Sequence, residues 1–234
     1  MNSFNDFPYA EDLAIRNIAS KLSYEDFISQ LNEDIDLIVA DMMDGVENFI
    51  DRNEKNISYH IYTNLKSKNY SAEYDSDKNG NADISVSAGS YRWLAEAKIF
   101  GGKNNYNTDY LYGGFKQLTT RYSKCQGNAD CGAMFIYIHP RSADDSEKNV
   151  MDAWNSFLEG KKLELNQLCI IPHSGKDRSL YTQHIHGTSG YPYKVRHIPL
   201  CFFHLPEDKS GVNAKKYNET REKFLNFDSK EEHF

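Results

Sequence analysis

Between residues 25 and 50 the apolar positions Ile28, Leu31, Ile35, Ile38, Met42, Gly45 and Phe49 recur three and four apart. That period predicts an amphipathic helix whose other face is acidic. Ser23 followed by Asp26 gives the helix a capping-box start. The stripe suits either packing on the domain or a docking and oligomerisation arm, because its spacing is heptad-like. Asn53 caps a second predicted helix, in which Glu54, Ile57, Ile61 and Leu65 share one face. "YSAEYD" then reads as a strand and "SDKNGN" as a turn.

Residues 80–98, "GNADISVSAGSYRWLAEAK", read as a hairpin. A two-residue Gly89-Ser90 loop fits a type II′ turn with glycine first. Beyond it come a Gly/Asn-rich loop, a helix with Thr108 as its expected cap, and the apolar strand "AMFIYIH". A helix over "SEKNVMDAWNSFLEG" precedes three strands around "QLCIIP", "YTQHIHG" and "KVRHIPLCFFH". The order α-α-β-β-β-α-β-α-β-β-β predicts an α/β domain with a mixed central sheet flanked by helices. Expected boundaries are an acidic helical segment over 1–52, a core over 53–205 and a polar tail over 206–234.

Composition narrows the class. The chain has 234 residues, no apolar run of membrane-spanning length and an acidic N-terminus without an apolar signal region, so a cytoplasmic protein is expected. Cys125, Cys131, Cys169 and Cys201 form no CxxC pair and read as reduced thiols. The net charge of −7 argues against a protein that simply coats nucleic acid. Charge is uneven, however. Residues 1–54 carry thirteen acids and three bases, which leaves 24 bases against 21 acids in the rest. Between 92 and 124 there are six bases and two acids, a locally positive stretch able to contact phosphate.

The hairpin holds the chemistry. With the turn at Gly89-Ser90, Asp83 lies directly opposite Glu96, their Cβ atoms roughly 5 Å apart. Lys98, two residues on, faces the same side. Two opposed carboxylates repel, so a shared proton, Lys98 or a bridging divalent cation must offset them. A hard cation such as Mg²⁺ suits a two-acid corner beside substrate phosphate. Glu54 shares an apolar helix face and should look inward to join them; Glu47 and Glu73 are the competing third acids.

These residues resemble the PD-(D/E)xK nuclease superfamily, the restriction-endonuclease-like fold. Asp83 in "GNADISV" and Glu96-Ala97-Lys98 in "WLAEAKIF" stand where that motif stands, and Glu54 matches its helix glutamate. Ala82 replaces the nominal proline. The resemblance covers residues 54–140 and implies a restriction-endonuclease-like core. It further implies metal-dependent hydrolysis of DNA, with Mg²⁺ or Mn²⁺ held by Asp83, Glu96, Glu54 and the Ala97 carbonyl. Lys98 is expected to orient the attacking water and stabilise developing charge. "GGFKQLTTRY" is similar to the polar helix signature of such nucleases, which gives Gln117 a supporting catalytic role. Arg121, Lys103, Lys116 and Tyr122 are the expected substrate contacts. The setting implied is prokaryotic restriction or antiviral defence, with duplex DNA as partner and a homodimer as the assembly. An RNA or structure-specific nuclease, or a silent binding subunit, are the alternatives.

Three further features stand outside that motif. His184 and His186 face one side of a strand and read as a polar sheet edge or a metal or phosphate site. His173, Lys176 and Arg178 form a polar loop able to touch nucleic acid or simply to turn. The tyrosines of "NNYNTDYLYGG" suit base stacking or helix packing.

Overall fold

The computed structural model describes residues 23–50, 52–75, 81–101, 107–172 and 177–203. Two helices come first, α1 (Tyr24–Asp44) and α2 (Glu54–Ser67), followed by strands β1 (Ser71–Tyr74), β2 (Ile84–Ala88) and β3 (Tyr91–Gly101). Helix α3 (Thr108–Lys116) runs into a π-helical turn, Gln117–Tyr122. Then come β4 (Cys131–His139), α4 (Glu147–Gly160), β5 (Gln167–Ile171), β6 (Leu180–Ile185) and β7 (Pro192–Cys201). The expected α/β order is the observed one. The expected polar tail over 206–234 and residues 1–22 lie outside the described residues, as do Lys103, His173 and Lys176.

The seven strands form one mixed sheet in the order β1-β2-β3-β4-β7-β6-β5. β3, β4 and β7 run parallel at its centre, and the flanking pairs are antiparallel. Central parallel strands are covered on both faces, so they read as near-continuous apolar runs; seven consecutive residues of β4 are buried. One core cluster joins α1 and α2 to Ile84, Trp93, Ala95 and Ala97. A second joins α3 and α4 to Met134, Ile136 and Ile138 on the opposite face. The α1 stripe is thus used in packing: Phe27, Leu31, Ile35, Ile38 and Met42 are all buried there. The helix is shorter than its stripe, because the chain breaks at Gly45 into a 3₁₀ turn, Val46–Asn48.

Caps follow local chemistry. Ser23 Oγ accepts from the Asp26 amide at 3.0 Å, and Asn53 Oδ1 accepts from the Asn56 amide at 2.9 Å. Before α3 the cap is Asn107, not Thr108: its Oδ1 accepts from the Tyr110 amide at 2.8 Å. The hairpin turn holds as expected, with Gly89 at φ 62° and Ala88 facing Tyr91. Among the described residues no helix is long and apolar enough to cross a membrane. All four cysteines are free thiols.

His184 and His186 do not lie at a sheet edge. Strand β6 sits between β7 and β5. Both histidines are buried, and His184 meets Phe115 and Tyr193 edge-on. Arg178 is exposed and bonds Glu147 rather than standing free.

Candidate active site

The site forms where β2 and β3 part company. β2 pairs with β3 from Ala88 back to Ile84, and Asp83 is the next residue in that register, opposite Glu96. β3 continues to Gly101, and among the described residues its edge toward β2 has no strand partner beyond this point. Buried backbone donors there need other acceptors. Carboxylates supply them. Asp83 Oδ2 accepts the Ala97 amide at 2.8 Å, and Glu54 Oε2 accepts the Ile99 amide at 3.1 Å. Glu54 opens α2, which brings its carboxylate to the strand edge.

On β3, side chains alternate between faces. Ala95 and Ala97 enter the core under α1 and α2, while Glu96 and Lys98 point to the α3 side. Lys98 Nζ donates to Glu96 Oε1 at 2.5 Å and to the Ala97 carbonyl at 3.1 Å. The three charged side chains are nearly closed to water: Asp83 is 8% exposed, Glu96 3% and Lys98 4%. Burial, then the charge of Asp83, push the Glu96 carboxyl up to about 7 against the pull of Lys98. Burial opposes the Lys98 charge, but Glu96, Glu54 and Asp83 together hold it above the ordinary lysine range. An ammonium at this position therefore donates hydrogen bonds and does not act as a base.

Several supporting residues have no local signature in the sequence. Gly114 on α3 lies directly over the lysine: a Cβ there would stand 2.6 Å from Lys98 Cγ. Tyr110 donates its hydroxyl to Glu54 Oε2 at 3.4 Å, and its ring centroid lies 5.9 Å from Lys98 Nζ. Asp75 continues the β1–β2 register to face Asp83, and its amide donates to the Asp83 carbonyl at 3.2 Å. Asp75, Asp83 and Glu96 thus form one cross-strand row.

Of the three competing glutamates, Glu54 reaches the β3 edge. Glu73 is exposed on β1 opposite Ser85, and Glu47 lies in the 3₁₀ turn before Asn53. Gln117 starts the π turn, half-buried, and makes no side-chain hydrogen bond to Asp83, Glu96 or Lys98. The π turn ends with the Ser123 amide donating to the Leu118 carbonyl, five residues back where an α-helix would reach four. Tyr122 lies within reach of the Glu96 charge, and Arg121 stacks on its ring at 5.5 Å. Arg121, Tyr122 and Lys124 line a groove of about 490 Å³ beside the acids. Lys116 turns away to lie 4.7 Å over the Tyr112 ring.

Among the described residues there is no group of three or more His, Cys, Asp or Glu disposed to hold a metal ion. A cation here would rest on two acids, Asp83 and Glu96, and on the Ala97 carbonyl, which shares the open edge with them. Hard oxygen donors in that number fit Mg²⁺ or Mn²⁺, which bind through one or two carboxylates and keep several waters. No family model, curated protein or solved structure matches the chain.

Proposed function

We propose that the protein is a divalent-metal-dependent nuclease that hydrolyses DNA phosphodiester bonds, with a PD-(D/E)xK-like site on a restriction-endonuclease-like core. The observation that carries this reading is the gathering of Asp83, Glu96 and Lys98 on one sheet face at an open strand edge. Charge supports the metal requirement. Glu54, Asp83 and Glu96 surround a single ammonium, an arrangement that repels a phosphodiester. Mg²⁺ or Mn²⁺ held by Asp83, Glu96 and the Ala97 carbonyl, with Glu54 assisting, would neutralise that charge and acidify bound water.

The chain's own residues have separate tasks. Lys98 donates to the attacking water and to the phosphate oxygen on which negative charge grows. Asp83 holds the Ala97 amide and so fixes the strand that carries both neighbours. Arg121 and Lys124 contact the flanking backbone. The attacking water gives up a proton to solvent as its oxygen bonds to phosphorus, and the bond to the leaving oxygen breaks. That oxygen takes up a proton, leaving one phosphomonoester and one hydroxyl end.

The test is cleavage of plasmid and linear DNA with Mg²⁺ or Mn²⁺, with and without EDTA. Cleavage that chelator stops is expected, and Asp83→Asn or Lys98→Gln should lower the rate by about 100-fold or more. Undiminished cleavage by both variants would falsify the assignment.

A further inference from the structure

We propose that the groove beside the acids is a pocket for an unpaired nucleobase, so that the enzyme cuts next to a base lying outside a helix. The inference rests on the nuclease reading and names its substrate class. Two kinds of wall define the groove. Its floor is the sheet face that continues the acidic row, with Glu73 from β1, Asp75 just past its end, and Ser85 and Asn81 from the β2 side. Its other wall is the π turn, with Tyr122 and Arg121, and Lys124 follows just beyond.

That division of charge sets the orientation of a nucleotide. Carboxylates on the floor repel phosphate. They accept hydrogen from the exocyclic amino groups that guanine, cytosine and adenine carry and thymine lacks, thymine offering its ring N3–H alone. Asn81 adds a side chain that both donates and accepts. The cations lie on the opposite wall, where backbone phosphates of the same strand would run. Tyr122 supplies a ring for stacking, a contact worth having for any base. Arg121 already covers part of that ring at 5.5 Å.

Size and position complete the argument. A groove of about 490 Å³ is large enough for one nucleotide, and a base seated on its floor between the strands and the π turn has left its helix stack. The floor is one strand pair away from Glu96: Ser85 faces Leu94, which lies two residues before it on the same face. A base seated there has its own phosphate at the acids.

The experiment uses the full chain with Mg²⁺ and end-labelled oligonucleotides: a perfect duplex, the same duplex with a one-nucleotide bulge, and the single strand. The bulge and the single strand are expected to be cut at least about tenfold faster than the perfect duplex, next to the unpaired base. Guanine, cytosine or adenine there should exceed thymine by roughly tenfold. Glu73→Gln and Asn81→Ala should flatten that preference. Equal rates for all pairing states and all four bases overturn the pocket and leave the nuclease reading intact. A binding arm runs without cleavage, on Asp83→Asn with 2-aminopurine in the bulge. Its emission should change on saturation, and the change should vanish when Tyr122→Ala is added. An unchanged signal overturns the pocket whatever the cleavage result. Absence of cleavage on every substrate, with the emission change present, sinks the nuclease reading alone.

Discussion

The two halves of the sheet bury polar groups in opposite ways. At β2 and β3 the buried groups are charged, face an open strand edge and oppose one another. At β6 and β7 the best-enclosed polar group, His197, is neutral and bonded at both ring nitrogens, while His184 Nδ1 and the Tyr193 hydroxyl are buried without a hydrogen bond. Trp154 Nε1 donates to His197 Nδ1 at 3.1 Å, and His197 Nε2 pairs with Thr182 Oγ1 at 3.0 Å. Because indole nitrogen only donates, the proton on this imidazole sits at Nε2, which donates it in a hydrogen bond to the threonine hydroxyl oxygen. Burial and the neighbouring His184 push His197 down to about 3, while burial and His186 push His184 down to about 4. One half therefore holds opposed charges; the other holds a neutral Trp154–His197–Thr182 chain beside unpartnered polar atoms of His184, His186 and Tyr193.

The sharpest way to break that contrast is to remove Lys98. Lys98→Met leaves buried carboxylates without their cation and should cost about 3–5 kcal/mol. Adding Glu96→Gln should restore part of it, read from urea unfolding midpoints. Full stability in the single variant would mean the acids are already protonated. Gly114→Ala comes next. Its new methyl meets the lysine stem at 2.6 Å, so about 2 kcal/mol should be lost as Lys98 shifts, with activity falling alongside.

The quiet half responds to acid. His197 and His184 take up a proton near pH 6.5 when unfolded but only near 3 and 4 when folded. Their contribution is complete above about 6.5 and declines as pH falls toward those folded values, by about 1.4 kcal/mol per pH unit for each histidine. Thermal melts from pH 7 to 4.5 measure this, and His197→Gln should flatten the curve. Smallest is Tyr110→Phe, which removes a long hydrogen bond to Glu54 and should cost about 0.5–1 kcal/mol. A larger loss in rate than in stability would place the tyrosine's role in orienting the carboxylate.

What could be read from the sequence was local. The Gly89-Ser90 turn sets a register, and the register sets which residues share a face, so the Asp83, Glu96 and Lys98 grouping was legible before any coordinates. Asn53 and Ser23 announced their helices in the same way. Strand order carries no such mark. His184 and His186 alternate as an edge strand would, yet β6 lies inside the sheet because β5 pairs along its outer side. Asp75 was missed because a long loop, unlike a two-residue turn, leaves the β1–β2 register open. Gly114 against Lys98 and Tyr110 against Glu54 are contacts between distant segments. The π turn replaced a helical period with one residue more.

The early end of β2 has a consequence for solubility. Bare amides along a strand margin invite a foreign strand to add on, the first step toward fibrils. Here Asp83 and Glu54 plug the amides of Ala97 and Ile99, and their negative charge turns an approaching backbone carbonyl away. The same two acids that make the corner uncomfortable thus keep neighbouring molecules from stitching themselves to it.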